Sequence, residues 1–227
     1  MSPILYYHPL ASFCHKVLIA LYENATPFEG IVVDLMDEAA SAPLREAWPV
    51  GKIPLLRDPV YNRMVPETSI IIEYLEQYYP GATTLIPREP HKARDVRLWD
   101  RFFDLYVSVP MQKLVLDTLR PEGQHDAYGV TEARESLVRA YGVADEQLNG
   151  RVWATGSDFS MADCAAAPGL FFANIVQPFT DFPHLTAYFE RLLEKPSFAR
   201  VLVEARPYLQ MFPLRDQIPA RFLDPNP

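Results

Sequence analysis

Strand and helix signals alternate through residues 1–84, and strand signals then stop. The stretch Ile4-Leu5-Tyr6-Tyr7 reads as a short buried strand. After the loop His8-Pro9-Leu10-Ala11, Ser12 opens a helix whose apolar positions Phe13, Val17, Leu18, Ala20 and Leu21 mostly recur at helical spacing. Gly30 to Val33 is a second strand. A strand, a helix and a strand on short connections make a βαβ unit with parallel pairing. Ala42 to Ala47 reads as a short irregular helix. Ile53 to Leu56 and Asn62 to Val65 flank the turn Asp58-Pro59, which predicts an antiparallel hairpin. Glu67 to Tyr79 has helical period through Ile71, Leu75 and Tyr78, and Pro80-Gly81 stops it.

The order βαβ then ββα is that of a thioredoxin-like domain. Two prolines and mixed charges mark residues 85–90 as a linker. Beyond it the signals are helical: His91 to Leu119 with a bend at Pro110, Thr131 to Leu148 ended by Asn149-Gly150, and the very apolar Met161 to Val176. Leu185 to Glu194 and Phe198 to Ala205 are shorter amphipathic helices, and Phe212 to Pro227 predicts an irregular surface tail. The fold class expected is therefore α/β plus all-α. It comprises a thioredoxin-like domain over residues 1–84, a linker over 85–90 and an all-helical domain over 91–227.

Composition narrows the function classes. The chain has 227 residues and a formal net charge of -8, which argues against nucleic acid and anionic membranes as partners. No apolar run approaches the roughly 20 residues of a membrane span, and the start Met1-Ser2-Pro3-Ile4 lacks a secretory layout. Two cysteines, Cys14 and Cys164, form no disulfide framework and fit a reducing cytoplasm. The five histidines are scattered, so no metal site is expected.

Two local motifs carry chemistry. In Gly51-Lys52-Ile53-Pro54-Leu55-Leu56 a proline stands at the start of a strand. A cis bond there would leave the N–H and C=O of Ile53 free to pair with an extended peptide ligand. Taken alone, the same residues suit an ordinary trans turn. In Pro66-Glu67-Thr68-Ser69-Ile70 an acid and two hydroxyls open a helix. Free N–H groups at a helix start bind a carboxylate, and Glu67 would hold an ammonium group. A plain helix cap with an acid on the dipole is the alternative.

Together and in this order, these motifs resemble the glutathione transferase superfamily over nearly the whole chain. The resemblance also rests on the Tyr-Tyr-His-Pro strand end, on Lys16 to Leu21, and on Glu67 to Leu75. In the second domain, Ser160-Met161-Ala162-Asp163 is similar to the family's capping box. The resemblance implies glutathione as cosubstrate. Ile53 beside a cis Pro54 would pair with its cysteinyl part, Glu67 and Thr68 would hold its γ-glutamyl end, and Lys52 would lie near its glycyl carboxylate.

Family members lower the pKa of the glutathione thiol with a hydroxyl and helix N-terminal N–H groups, because the thiolate is the nucleophile. Aligning the first helix puts the family's serine, or the cysteine of other classes, at Ala11, so this chain departs from the pattern there. Ser12 is the catalytic candidate, with simple N-capping as its other reading. Tyr7 matches the tyrosine of other classes, and Cys14 the second cysteine of a Cys-x-x-Cys whose first is missing. The family further implies an apolar electrophile held between the domains, and a homodimer. Glutathione-dependent reduction of disulfides or hydroperoxides, and a non-catalytic binding or scaffolding module, are the rival functions.

Overall fold

A computed structural model describes residues 1–223. Pro225 and Pro227 of the expected tail lie outside the described residues.

Strands β1 (Ile4–Tyr7), β2 (Glu29–Val32), β3 (Leu55–Asp58) and β4 (Arg63–Pro66) form one sheet in the order β2-β1-β3-β4. Strand β1 pairs in parallel with β2, with Leu5 opposite Gly30, and antiparallel with β3, with Leu5 opposite Leu56. Strand β3 pairs antiparallel with β4, Leu55 facing Pro66. Helices α1 (Ser12–Glu23) and α3 (Thr68–Tyr78) pack against the sheet, while α2 (Glu38–Ala47) precedes β3. Leu5 and Leu56 pack with Val17, Leu18 and Leu21 of α1 and Ile71, Ile72 and Leu75 of α3, all buried. This is the expected α/β architecture, a four-stranded mixed sheet with helices, followed by helices alone.

Boundaries shift where local chemistry differs from the periodicity. Strand β3 begins at Leu55 rather than Ile53, because Pro54 has no N–H for the ladder. Asp58 ends the strand, and its Oδ1 accepts from the N–H of Val60 at 2.8 Å, starting the turn. Helix α2 starts earlier than Ala42, because Asp37 caps it by accepting from the N–H groups of Ala39 and Ala40.

The second region contains α4 (Pro90–Phe102), α5 (Val109–Asp117), α6 (Ala127–Leu148), α7 (Met161–Val176), α8 (Pro183–Leu193) and α9 (Pro196–Ala205). The helix expected to bend at Pro110 is instead interrupted by a π-helical stretch, Phe103–Ser108, between α4 and α5. Proline lacks an N–H, and its ring crowds the carbonyl four residues earlier; a wider turn relieves both. Helix α6 starts four residues before Thr131, because Asp126 Oδ1 accepts from the Gly129 N–H at 2.8 Å.

Helix α7 is the centre of the molecule, buried along nearly its whole length. It packs on α1 from the first region and on α4 and the π-helical stretch from the second. Its start is fixed by the expected capping box: Asp163 Oδ2 accepts from the Ser160 N–H at 2.8 Å. Gly169 lets the π-helical stretch approach, since a Cβ there would lie 2.8 Å from Ser108 Oγ.

A 3-10 turn at Arg206–Met211 follows α9, and the tail expected to lie irregularly on the surface from Phe212 onward instead forms short 3-10 turns at Arg215–Gln217 and Ala220–Phe222. Its Phe212 and Ile218 are buried, because their apolar side chains are drawn back to the core, Phe212 against Phe172.

Candidate functional site

The site lies where the start of β3 faces the helical region. The Ile53-Pro54 peptide bond is cis. Ile53 precedes β3 and takes no part in the sheet register. Its backbone groups are therefore free for a ligand that runs alongside as an extra strand. Next to it, Glu67 is the N-cap of α3 and has φ of 69°. That left-handed conformation is unusual for a residue with a side chain and is the kind of local cost found at binding sites. Thr68 is the first residue of α3 and is buried. Its N–H has no intrahelical partner, so it is available to a carboxylate.

A cavity of about 290 Å3 collects these groups. Lys52, Ile53, Pro54, Glu67 and Thr68, all five binding candidates from the sequence, line it together. Trp48, Arg101, Asp104 and Gln112 also stand in its wall, beside the apolar Phe13, Leu105 and Val109, and were not foreseen. Arg101 and Asp104 are bonded to each other, Nη1 donating to Oδ2 at 3.1 Å. Beneath them the buried Lys16 ammonium lies 2.6 Å from Asp100 Oδ1 and 2.7 Å from Asp104 Oδ2, and donates to Ser69 Oγ at 3.0 Å. Burial pushes the Asp104 carboxyl up, against the pull of Lys16. Residues so far apart in sequence meet only through the packing of α1 and α3 on the second region, so no local pattern announces them.

A second, larger cavity of about 420 Å3 adjoins the first, and Ile53 and Gln112 line both. Its walls are mostly apolar: Met111, Val115, Leu116 and Phe172 from the helical region, Met211 and Phe212 from the tail. His8, Ala11 and Ser12 line it from the loop after β1.

The candidates for thiol activation separate cleanly. Ser12 is only 9% exposed and lines the apolar cavity. It is not the helix cap: Ala11 holds that position with no side-chain bond, and Ser12 is the first helical residue. The N–H groups of Ser12 and Phe13 therefore lack intrahelical acceptors, and no side chain covers the helix start. Tyr7 lines neither cavity. Its ring covers Gly30, where a Cβ would meet Cε1 at 2.9 Å, and burial followed by the Glu204 charge raises its pKa. Cys14 is fully buried, lines neither cavity, and has its thiol pushed up to about 12 by burial. Such a thiol is a poor nucleophile.

Among the described residues no group of three His, Cys, Asp or Glu side chains could hold a metal ion. No described helix is long and apolar enough to cross a membrane.

Comparison with known proteins gives this geometry a context. Residues 5–83 match the glutathione S-transferase N-terminal domain, and residues 106–196 match the glutathione S-transferase C-terminal domain. A probable maleylacetoacetate isomerase of Caenorhabditis elegans is 30% identical over 203 residues, covering 87% of this chain and 91% of the relative. The chain belongs to the glutathione S-transferase family. FtsZ-localized protein A of Caulobacter vibrioides is 29% identical over 216 residues, covering 90% of this chain and 92% of that relative. A glutathione S-transferase of Methylobacillus flagellatus KT, solved with glutathione bound, superposes with a TM-score of 0.81 at 25% identity. That superposition covers 88% of this chain and 98% of the transferase.

Proposed function

We propose that this glutathione S-transferase family member is an active transferase: it binds glutathione in the polar cavity and directs its sulfur at an apolar electrophile in the adjoining one. The observation that carries this reading is the junction of the two cavities at Ile53. A peptide paired with the Ile53 backbone has its cysteinyl residue at that junction. Glu67 and Thr68 then take the γ-glutamyl ammonium and carboxylate, and Lys52 the glycyl carboxylate.

The thiolate is stabilised by the uncapped start of α1, whose Ser12 and Phe13 N–H groups and Ser12 hydroxyl supply donors and positive dipole. The sulfur then attacks the electrophile, forming a carbon–sulfur bond by addition or by displacement of a leaving group. The rival disulfide chemistry has little support, because Cys14 is sealed in the core. The non-catalytic reading draws on Ala11, which provides no hydroxyl where the resemblance expects one.

The partner expected besides small molecules is a second copy of the chain. Leu98, Leu105 and Tyr106 stand exposed along α4 and the π-helical stretch, and sedimentation equilibrium would show a mass of two chains. The reading places the protein in the cytoplasm, with residues 1–84 as the glutathione-binding domain and 91–227 as the helical one.

The test is conjugation of glutathione with benzyl chloride. Rates saturating in both substrates, well above the uncatalysed reaction, are expected. Tight glutathione binding with no acceleration would instead favour a binding module.

A further inference from the structure

The transferase reading leaves one polar side chain of the apolar cavity without a task. Besides Ser12, the polar residues on that wall are His8, Asp34 and Gln112. Asp34 is an acid whose Oδ1 already accepts from the Met36 N–H at 2.9 Å. Gln112 also faces the peptide cavity. His8 is different. Its Nδ1 accepts the N–H of Leu10 at 3.1 Å, and its ring meets Tyr208 edge-on, with centroids 5.1 Å apart. The first contact fixes the tautomer, because an accepting Nδ1 leaves the proton on Nε2. Both contacts fix the ring plane. Nε2 has no protein partner among the described residues.

The geometry points to His8 as the hydrogen-bond donor for an electrophile that develops negative charge on oxygen, as an aryl-conjugated enone does. The aryl preference comes from the same wall: Met111, Met211, Phe172 and Phe212 offer polarisable sulfur and ring surface to a flat conjugated group. The step balances without any further reagent. The glutathione sulfur bonds to the β-carbon, and the alkene pair moves onto the carbonyl oxygen as an enolate. The Nε2–H of His8 bonds to that oxygen as its charge grows. Water then protonates the α-carbon and the carbonyl re-forms. Burial holds the imidazole pKa below its usual value, against the opposing charge of Asp34, so the ring is neutral near pH 7. A neutral donor in an apolar wall is well matched to charge that appears only in the transition state.

This inference rests on the transferase reading, and its test separates the two. Wild type, His8→Asn and His8→Gln are each assayed with 4-phenyl-3-buten-2-one, an enone, and with benzyl chloride, which develops no oxyanion. Asparagine keeps an acceptor near the position of Nδ1 and loses the outer donor; glutamine places an amide donor near that of Nε2. The expected result is a fall of at least tenfold in kcat/KM for the enone in His8→Asn. Benzyl chloride occupies the same cavity, so its turnover should fall several-fold less than that of the enone, and His8→Gln should recover much of the enone activity. Equal losses on both substrates, or no loss on either, would overturn the assignment while leaving the transferase reading intact. A wild type that turned over neither compound would overturn both.

Discussion

The Lys16 ammonium lies 2.7 Å from Asp104 Oδ2, and both groups are buried. Lys16 stands on α1 and Asp104 in the π-helical stretch, so the pair joins the sheet-bearing region to the helical one beside the polar cavity. Asp100 and Ser69 complete the cluster. Replacing Lys16 with methionine leaves the buried Asp100 without a counter-ion and Asp104 with Arg101 alone. The expected loss is about 3–5 kcal/mol of stability, the usual effect of breaking a buried pair from one side. Urea unfolding would show it as a lower midpoint. An unchanged midpoint would mean that the cluster is not held closed in solution.

His15 gives the fold a dependence on pH. Its Nε2–H donates to the Pro9 carbonyl at 2.5 Å, while Nδ1 is buried without a partner. Burial lowers its pKa from 6.5 to about 4. The unfolded chain therefore binds the proton more readily. The stabilisation is present above pH 6.5 and is lost as pH falls towards 4. Between pH 7.5 and pH 5.0 the loss from this group is about 2 kcal/mol. Urea unfolding of wild type and His15→Phe at both pH values checks it: the variant should show a flatter dependence.

Asp163 holds the start of the central helix. It accepts from the N–H of Ser160 and of Ala154 at 2.8 Å each, and from the Tyr188 hydroxyl at 2.6 Å, all buried. The Ser160 hydroxyl also donates to Asp163 Oδ2, at 2.9 Å, so Asp163→Ala strands four donors at once. At roughly 1–3 kcal/mol for each buried unsatisfied group, the variant should lose at least 3 kcal/mol and fail to accumulate at 37 °C. A thermal melt within a few degrees of wild type would contradict this account.

Thr68→Val keeps the shape of the side chain and removes its hydroxyl. If that hydroxyl and the first N–H of α3 hold the γ-glutamyl carboxylate, calorimetric glutathione affinity should fall about tenfold or more. The melting temperature without glutathione should change little.

What could be read from the sequence was local. Ile53-Pro54 and Glu67-Thr68 are each contiguous, and their chemistry follows from backbone rules at a strand start and a helix start. The start of α7 was legible because Ser160 and Asp163 form a self-contained cap. Arg101 and Asp104 were not legible, since they reach the cavity only when α4 and the π-helical stretch dock against α1 and α3. Nor was Phe212: a proline-rich tail reads as surface, and only its apolar side chains turn it inward. Ser12 shows the limit most sharply. A serine before an apolar periodic run reads as a cap, yet the helix begins one residue earlier in register and Ala11 takes that place.

That register carries the central claim, because it leaves the Ser12 and Phe13 N–H groups and the Ser12 hydroxyl to stabilise sulfur. The most direct test is ultraviolet titration of the thiolate of bound glutathione. The account predicts a bound thiol pKa at least one unit below the roughly 8.5 of an ordinary cysteine thiol. In Ser12→Ala it should rise part of the way back, because the backbone donors remain. A bound thiol titrating like the free one in the wild type would contradict the transferase mechanism and leave a protein that binds glutathione without activating it.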